Sequence, residues 1–426
     1  MAEHPARRPQ AAVLFVVAVA AAGLNLRTAI TSVPPLFPDL TSQLGLSPAA
    51  LSLLAATPVL CFGVVSAFAA WINRRFGEEL VLLIALVLLA AGLLVRGLAP
   101  SAMLFPGTVL AAGSIAVLNV LLSSLVKRRW PERAGVLISV YLTALSVGAI
   151  LASLLSVPLY RAAGNALGLP LAIWAAPAAL AAALWLPQLR HRDVAPPAAA
   201  AGAAPAAPAA AGPAAPARLP VYRYPLAWQV MAFMGLQSLL YYAALSWLPT
   251  IFQDRGATPE AAGNLLALMG AGNLAASLLV PLLAHRFPGQ RSLIWPSVAG
   301  TVAGLAGCLW APLGGAPAWV LVLGLSQGAC LALAIFFMMA RAPDPGTAAS
   351  LSGFAQSLGY LAASTGPLAV GLLHTATGSW TIPVILLLAL AAAELGFGLL
   401  AARPVTLPGP RSATRASGTG RPSRAI

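Results

Sequence analysis

The stretch AAVLFVVAVAAAGLNLRTAITSVPPLFPDL, residues 11–40, places one arginine inside a long apolar run. A helix of about 20 apolar residues crosses the roughly 30 Å hydrocarbon core of a bilayer, so the run at 11–37 predicts a membrane span. Arg27 is permanently charged, and no Asp or Glu lies between Glu3 and Asp39. The stretch therefore predicts a transmembrane helix that carries a cation with no local partner.

The rest of the 426-residue chain has the same character, with 60% hydrophobic residues, 8% charged residues and a mean hydropathy of +0.87. Soluble domains carry about 25% charged residues, so this chain cannot cover a water-facing surface. The runs are too long and too uniformly apolar for a membrane β-barrel, whose strands alternate over about 10 residues. The sequence predicts an all-α membrane protein with twelve transmembrane helices: 11–37, 48–72, 79–98, 102–126, 134–160, 166–187, 225–251, 260–285, 291–312, 317–340, 347–374 and 379–402.

Positive charge is distributed unevenly between the two sides of these spans. With the N-terminus in the cytoplasm, 20 of the 24 Lys and Arg residues fall on the cytoplasmic side. The outer loops hold only Arg96, Arg161 and Arg255. The positive-inside rule then places both termini in the cytoplasm, and we expect a multi-pass protein of the bacterial inner (plasma) membrane. The net charge of +14 reports topology and contact with anionic lipid rather than nucleic-acid binding.

The chain shows no residue pattern typical of enzymes or metalloproteins. Its three cysteines, Cys61, Cys308 and Cys330, lie within predicted spans and form no CxxC or Cys/His cluster. Neither a Ser/His/Asp arrangement nor a phosphate-binding Gly-Lys-Ser/Thr loop is present. We therefore expect no catalytic residues, no metal and no cofactor.

The chain repeats itself with a shift of 211 to 212 residues. Gly45 aligns with Gly256, and Arg75 aligns with Arg286. A duplicated six-span unit makes the first span a structural helix rather than a cleaved signal peptide. The expected organisation is a cytoplasmic tail (1–10), a six-helix bundle (11–187), an Ala/Pro-rich linker (188–224), a second bundle (225–402) and a disordered tail (403–426). Two parallel repeats of this kind can rock about a site at the membrane midplane.

Four stretches resemble the cyanate permease and nitroimidazole exporter branch of the major facilitator superfamily. The resemblance spans nearly the whole membrane region and is most specific in the last two stretches. It implies the major facilitator fold and a secondary transporter of small anions or compact heteroaromatic compounds. The stretches are NLRTAITSVPPL (25–36), NVLLSSLVKRRWP (119–131), YPLAWQVMAFMGLQSLLYYAALSWLP (224–249) and LSGFAQSLGYLAASTGPLAVGLLHTATGSW (351–380).

The loop after the second span, AWINRRFGEEL (70–80), departs from the superfamily pattern. An Asp is expected before Arg-x-Gly, but Arg74 stands there, followed by Arg75, and two acids follow the glycine. We predict that Glu78 and Glu79 pair with basic residues of the neighbouring loop and latch one conformation. The basic partners would be Arg128 and Arg129. A solvated loop that simply obeys the positive-inside rule is the alternative.

Arg27 lies about 24 Å along its predicted helix, beyond snorkelling range of the nearer surface. A midplane Arg costs about 2.5–3.5 kcal/mol on insertion scales, so a compensating interaction is expected. Three remain open: pairing with Glu394, the one acid inside a predicted span; burial against carbonyl and amide oxygens; or contact with a substrate in a water-filled cavity. We favour the cavity, because the planar guanidinium suits the paired oxygens of a carboxylate or nitro group.

Other polar side chains at similar depth complete the predicted substrate site. Gln237 and Tyr241 are one helical turn apart, as are Gln356 and Tyr360, so each pair shares a face. Hydrogen bonding between helices, at about 0.6 kcal/mol each, is the alternative role. The predicted site comprises Arg27, Asn25, Asn119, Tyr141, Gln237, Tyr241, Gln356 and Tyr360.

Span eleven also contains residues that allow bending or close packing. Gly359, Gly366 and Pro367 form a predicted hinge, with tight helix packing as the alternative. Near the outer ends of their spans, Trp247 and Trp380 are expected to anchor the protein at the membrane interface.

The function predicted from these features is secondary transport by alternating access, by a monomer. The cargo would be a small anion or a compact polar or heteroaromatic solute, such as cyanate or a nitroimidazole. The first half has no acid inside a span, which disfavours proton coupling through a carboxylate there, although Asp39, His374 and Glu394 stay open as proton sites. A lone Arg fits anion uniport, or exchange with a counter-anion, better. An exporter of neutral drugs or metabolites and a non-transporting membrane receptor are the alternatives.

Overall fold

The computed structural model describes residues 9–191, 220–284 and 290–408, and these residues form helices and turns with no strand. The predicted tails and most of the predicted linker lie outside the described residues. The all-α prediction is confirmed. Two sets of helices, which we call the first half and the second half, come before and after residues 192–219.

The first half contains eight α-helices. Pro48 and Pro100 each occupy the first position of a helix, where the missing N–H is not needed. The helices are α1 (Pro9–Thr31), α2 (Phe37–Leu44), α3 (Pro48–Phe76), α4 (Glu78–Leu98), α5 (Pro100–Arg129), α6 (Ala134–Ala162), α7 (Gly168–Ala172) and α8 (Ala175–Trp185).

The second half contains seven α-helices, three of which also begin at proline. The helices are α9 (Pro225–Asp254), α10 (Pro259–Ala284), α11 (Arg291–Trp310), α12 (Ala316–Ala340), α13 (Pro345–Ala363), α14 (Thr365–Thr377) and α15 (Thr381–Ala401). Asp344 caps α13 by accepting a hydrogen bond of 2.9 Å from the Thr347 amide. Hydrogen bonds from Thr347 lower the pKa of this carboxyl.

Two ends of the helix bundle can be distinguished by charge. At what we call the basic end, α5 finishes with Lys127, Arg128 and Arg129, and Arg341 follows α12. The other end, where α1, α4, α6, α9 and α11 finish, is called the opposite end. These names describe the molecule without assuming which side of the membrane each end faces.

Eleven of the described helical segments are long and apolar enough to cross a membrane. The predicted eleventh span is the exception, because it is divided at Ser364 into α13 and α14. The sequence of α13, PGTAASLSGFAQSLGYLAA, is also rich in polar and small residues. A helix of this composition is suited to face a polar cavity or a close neighbour rather than lipid.

The first predicted span, 11–37, contains a break in its helix near the far end. Helix α1 ends at Thr31 and not at residue 37, and a short 3₁₀ helix at Pro34–Leu36 follows. Pro34 and Pro35 lack the N–H groups that would continue the hydrogen bonding of α1. The apolar pattern continued across this break, so hydropathy alone did not reveal it.

The packing within one half is repeated in the other. Helix α1 packs against α6 and α8, and its counterpart α9 packs against α13 and α15. In the same way, α4 packs against α5 as α11 packs against α12. The halves contact each other through α3 with α13 and α14, and through α6 with α10.

Arg96 does not lie in an outer loop as predicted from the sequence. It occupies the last turn of α4, is fully buried, and donates hydrogen bonds to the carbonyls of Ala29 (2.9 Å) and Leu171 (3.3 Å). Both acceptors lie in last turns, where helix carbonyls lack backbone partners and attract cations. Arg255 serves the end of α11 similarly, by donating to the carbonyls of Cys308 and Ala311. Two of the predicted outer-loop cations are therefore structural.

The close approach of α1 and α6 depends on Gly148. A Cβ atom placed there would lie 1.9 Å from the backbone oxygen of Leu24, whereas one at Gly135 of the same helix would meet nothing within 4 Å. We expect Gly148→Ala to destabilise the folded protein by about 1–3 kcal/mol through overpacking. Gly135→Ala should be neutral or stabilising by up to about 1 kcal/mol, since Ala favours helix. Thermal unfolding of both variants in detergent tests this, and equal melting temperatures would contradict it.

Candidate functional site

Arg27 joins the two halves in the middle of the bundle. Its Nη1 donates a hydrogen bond of 2.7 Å to the hydroxyl of Tyr241 on α9. Its Cζ also lies 5.0 Å from the ring centroid of Tyr241 and 5.5 Å from that of Tyr242. Both distances fall within the range of cation–π attraction. One cation of α1 thus contacts two adjacent aromatic side chains of α9.

Two further rings extend this contact to α3 and α13. Phe62 lies 6.3 Å from Tyr242 and 5.8 Å from Tyr360, and the two tyrosines are 6.4 Å apart, all in edge-to-face arrangements. Such geometry is favourable for aromatic pairs. We call Arg27, Phe62, Tyr241, Tyr242 and Tyr360 the Arg27 site.

The charge of Arg27 is stabilised without an acid. Among the described residues, no carboxylate forms an ion pair with it, and its one hydrogen bond goes to Tyr241. A hydrogen bond to a charged group contributes about 1.5–3 kcal/mol, and a cation–π contact about 0.5–2 kcal/mol. These contributions are comparable to the insertion cost of about 2.5–3.5 kcal/mol. Neither a Glu394 ion pair nor carbonyl burial is needed to explain the folded state.

Arg27 nevertheless keeps hydrogen-bonding capacity. The side chain is partly exposed, although it lies deep inside the bundle. Because a guanidinium has about five N–H donors, most of them remain available to a ligand.

Asn119 and Tyr141 form a pair beside this site. The Tyr141 hydroxyl donates a hydrogen bond of 2.7 Å to Oδ1 of Asn119, which links α5 to α6. Tyr141 packs against α1 one turn before Arg27, where a Cβ atom at Gly23 would lie 3.2 Å from its ring. Asn119 is partly exposed, so its amide nitrogen can take part in binding.

Asn25 and Gln237 lie away from the Arg27 site. The amide of Asn25 donates to the carbonyls of Ala21 (2.8 Å) and Pro177 (3.1 Å), because a residue two positions before Arg27 projects from nearly the opposite helix face. The Gln237 amide donates to the carbonyl of Gln327 at 3.5 Å. Both side chains are buried in contacts within their own half. The geometry favours the alternative role, hydrogen bonding between helices.

Gln356 lies one turn from Tyr360, in the direction of the basic end, and is exposed. Gly353, almost one turn further, is also exposed, and a Cβ placed there would meet no atom within 4 Å. The Gln356 Nε2 lies 4.0 Å from the sulfur of Met338 on α12. Gln356 and Tyr360 are one turn apart on α13, so they share one face of that helix.

The opposite end is closed by contacts between the halves. Arg161 at the end of α6 forms an ion pair with Glu260 at the start of α10. Gln253 donates to the carbonyl of Pro35 at 3.3 Å, and the rings of Phe37 and Trp247 lie 5.4 Å apart. These contacts separate the Arg27 site from that end.

The two tryptophans expected at the membrane interface instead belong to this closure. Trp247 and Trp380 are buried, with ring centroids 5.7 Å apart. Trp247 donates to the carbonyl of Pro367 at 2.8 Å, and Trp380 donates to Asp254 at 2.8 Å. Each indole N–H thus has a partner inside the protein, so the prediction of lipid-facing anchors was wrong.

The predicted latch pairs form, but they lie within one half. Arg128 contacts Glu78 at 3.0 Å and Glu79 at 2.9 Å, which joins α5 to α4. Arg129 lies over the ring of Phe15 instead, at 5.0 Å. Arg75 is exposed, and the side chain of Arg74 lies outside the described residues. A pair inside one rigid half cannot hold the two halves together; Arg161 and Glu260 do so.

The predicted hinge coincides with the break between α13 and α14. The break itself falls at Ser364, whose hydroxyl donates to the carbonyl of Leu361 at 2.7 Å. Cβ atoms at Gly359 and Gly366 would lie 3.3 Å from Gly235 and 2.7 Å from Leu239 of α9, respectively. These glycines therefore permit close packing on α9, and hinge motion at the break stays a prediction.

Sequence reasoning missed Phe62 and the Arg161–Glu260 pair. A phenylalanine within an apolar span carries no polar signal that would identify it as part of a site. The signal for the ion pair was present, since Arg161 and Glu260 are isolated charges at the ends of spans whose loops face the same side.

Comparisons with known proteins place this arrangement in a family. The family model described as Major Facilitator Superfamily matches residues 13–367. A transporter of Bacillus subtilis named YycB is 36% identical over 91% of this chain and 92% of its own length. The 2-nitroimidazole transporter of Escherichia coli is 34% identical, covering 92% and 96%. The cyanate transport protein CynX of Escherichia coli is 29% identical, covering 84% and 89%.

Solved structures agree on the fold. A D-xylose–proton symporter superposes with a TM-score of 0.72 at 16% identity, covering 93% of this chain and all of that one. At this identity the likeness supports the fold and carries no information about cargo.

The Arg161–Glu260 pair is expected to bias the molecule toward closure at the opposite end. The side chains are 59% and 28% exposed, so the pair contributes up to about 1 kcal/mol, or roughly fivefold in population. We expect Glu260→Arg to increase labelling by an impermeant maleimide at Phe37→Cys in detergent, read at residue 37 by mass spectrometry. The exchanged pair, Arg161→Glu with Glu260→Arg, should restore slow labelling. Equal labelling in all backgrounds would show that the pair does not hold the closure.

Proposed function

The chain belongs to the major facilitator superfamily, a family of membrane transporters, and we propose that its cargo is a small planar anion or a compact nitro-heteroaromatic solute. The cargo would bind at the Arg27 site and cross by alternating access. Members of this family are transporters and not enzymes, which agrees with the sequence pattern of this chain.

One observation carries this proposal: the guanidinium of Arg27, deep in the bundle and without an acid partner among the described residues, lies against aromatic rings of the other half and donates one hydrogen bond to Tyr241. The planar fork of Arg27 matches two oxygens of one carboxylate or nitro group. Phe62, Tyr242 and Tyr360 offer faces and edges against which a flat solute can pack. A charge in a poorly screened site also attracts a small anion strongly.

The named cargoes of two relatives fit the same description. A 2-nitroimidazole is flat and carries a nitro group, and cyanate is a small linear anion. Both could receive hydrogen bonds from a guanidinium, and only the nitroimidazole would make full use of the aromatic wall. The two therefore bracket the size of the proposed cargo.

The Arg27–Tyr241 bond relates binding to movement. Arg27 belongs to the first half and Tyr241 to the second, so a solute that takes hydrogen bonds from both replaces a direct bond between halves with a bridge. A ligand shifts a conformational equilibrium only as far as its contacts differ between the states. A solute that bridges the halves would make different contacts in the two states, so its binding would shift the equilibrium between them.

We propose that the conformation described above opens at the basic end, because the contacts that hold the halves together around Phe37 and the Arg161–Glu260 pair lie at the opposite end. We place the basic end in the cytoplasm by the positive-inside rule, with both termini there and the protein in the inner membrane. The conformation is then inward-facing. Access from the other side would require the contacts around Phe37, Trp247 and the Arg161–Glu260 pair to separate.

A neutral aromatic solute moving outward is the second candidate, and the number of rings in the site favours it. In that case Arg27 would act as a hydrogen-bond donor to an uncharged acceptor. Competition by small anions distinguishes the two, because an anion cargo should be displaced by cyanate or benzoate and a neutral cargo should not.

Removing Arg27 should abolish saturable transport. We expect Arg27→Ala to lower flux of labelled cyanate and 2-nitroimidazole into proteoliposomes by about 10- to 100-fold, since a charge-assisted hydrogen bond contributes about 1.5–3 kcal/mol. The flux of Arg27→Lys should lie between the fluxes of the wild type and Arg27→Ala, because lysine keeps the charge but lacks the planar fork of donors. The exposed Arg223→Ala is the matched control and should transport normally.

Measurements of saturation and counterflow distinguish a carrier from a channel and from a receptor. A carrier shows both, a channel shows no counterflow, and a receptor shows binding without flux. Wild-type rates in Arg27→Ala would remove this residue from the site.

The Tyr241 hydroxyl is expected to position Arg27. Tyr241→Phe removes the 2.7 Å hydrogen bond and keeps the ring. We expect KM to rise by about 2- to 10-fold, corresponding to about 0.5–1.5 kcal/mol, with a smaller change in maximal flux. Tyr222→Phe changes an exposed tyrosine at the basic end and serves as the control. An unchanged KM in Tyr241→Phe would mean that the hydroxyl takes no part in binding.

A further inference from the structure

Phe62 is the apolar member of the Arg27 site, and it is the central residue of α3. Its side chain is only 4% exposed. Its ring contacts Tyr242 of α9 and Tyr360 of α13, and these two tyrosines also contact each other. We call Phe62, Tyr242 and Tyr360 the ring triad. Because Phe62 comes from the first half and the tyrosines from the second, the triad is formed where the halves meet.

The ring triad has no room for a further ring between its members. Its ring centroids are 5.8, 6.3 and 6.4 Å apart, within the range of about 4.5–7 Å for aromatic rings in contact. A flat solute can therefore lie against the triad but cannot enter it without displacing a ring. Tyr360 is partly exposed, whereas Phe62 and Tyr242 are buried. Phe62 thus packs beneath the surface that a solute would contact.

The backbone next to Phe62 fixes the position of its ring. A Cβ atom at Gly63 would lie 2.6 Å from Cγ of Leu361 and 3.0 Å from the backbone nitrogen of the same residue. Leu361 follows Tyr360 on α13, so α3 and α13 touch at the level of the triad. A contact this close leaves no slack. Phe62 therefore cannot move away from Tyr360 while the two helices stay together.

The distance from Arg27 to Phe62 is bounded by their shared neighbour. Tyr242 lies 5.5 Å from the guanidinium carbon and 6.3 Å from the Phe62 ring, so these two groups are no further apart than both distances combined. A solute in this space needs a hydrogen bond of about 3 Å to the guanidinium and a ring contact of at least about 4.5 Å. The remaining length suits a carboxylate or nitro group on one ring. A second fused ring along the same line would overlap Phe62.

We propose that Phe62 is a specificity-determining residue that restricts aromatic cargo of the Arg27 site to compounds with a single ring. The inference rests on the proposed transport function and adds a size limit to it. Phe62 acts by filling space and by holding Tyr242 and Tyr360 in place, so it is a positioning residue. A linear anion such as cyanate binds at the guanidinium and is too short to reach Phe62.

A purely structural role for Phe62 has a different consequence. If this residue only packed the halves together, its substitution would change the maximal flux of every cargo alike. A size limit instead changes the order in which competitors of different size bind. The ranking of competitors is therefore the measurement that distinguishes the two roles.

The test compares two acids that differ by one fused ring. Counterflow of labelled cyanate or 2-nitroimidazole is measured in proteoliposomes, with unlabelled benzoate or 2-naphthoate as competitor. In the wild type, benzoate should inhibit about tenfold or more better than 2-naphthoate, since an apolar site rejects excess volume to this extent. In Phe62→Ala this preference should disappear or reverse, because the deleted ring leaves a cavity that the second ring can fill. Inhibition by unlabelled cyanate should stay within about twofold.

Two further variants make the result specific. Phe62→Trp enlarges the side chain and should weaken inhibition by benzoate about tenfold, with cyanate again unchanged. It also decides the matter where the Ala variant folds poorly. Phe68→Ala removes an exposed phenylalanine of the same helix and should keep the wild-type ranking. Nonspecific effects of the more apolar acid on the liposomes are common to all variants and cancel against this control.

Distinct outcomes overturn the inference and the proposed function. An unchanged ranking of the two acids in the Phe62 variants overturns the inference, whether or not maximal flux falls. Equal inhibition by benzoate and 2-naphthoate in the wild type does so too. Absence of saturable counterflow in the wild type would overturn the proposed function itself.

Discussion

The structure depends on a permanent positive charge inside a membrane span, since arginine does not lose its proton there. Arg27 is held by the hydroxyl of Tyr241 and by two aromatic rings rather than by an acid. An ion pair with a carboxylate would have used the hydrogen-bond donors of the guanidinium. A phenol hydroxyl and aromatic faces stabilise the charge and leave donors free. Those partners belong to the other half of the molecule, so the same constraint that stabilises the charge also sets where the two halves meet.

The cations near the opposite end have different uses, and the contrast clarifies the role of Arg27. Arg96 and Arg255 satisfy carbonyls at helix ends, and Arg161 pairs with Glu260. Each of these has an oxygen partner that accounts for its position. Arg27 differs from these three arginines because its side-chain partners are a phenol hydroxyl and two aromatic rings rather than carbonyl or carboxylate oxygens. That difference singles it out within a chain that is rich in arginine.

Much of the fold and part of the site could be predicted from the sequence. Hydropathy located the spans, and the isolated charge of Arg27 identified the site, because both are properties of composition along the chain. Hydropathy could not give the rotation of each helix. Asn25 and Gln237 donate hydrogen bonds to backbone carbonyls within their own halves. The sequence could not indicate this for Gln237, since α9 is buried on nearly every side and its pattern has no polar stripe to orient it. The end of α1 and the burial of Arg96 depend on tertiary contacts, which the hydrophobic pattern of the sequence does not indicate.

The bond between Arg27 and Tyr241 has a consequence for the unloaded protein. On the proposed transport function, the Tyr241 hydroxyl occupies the cation where cargo would bind and acts as an internal surrogate ligand in its absence. An empty carrier that had to reorient with a bare charge would face a high electrostatic barrier. With the surrogate in place, the return half of the proposed cycle would not need return cargo, and net flux would not require one-for-one swapping.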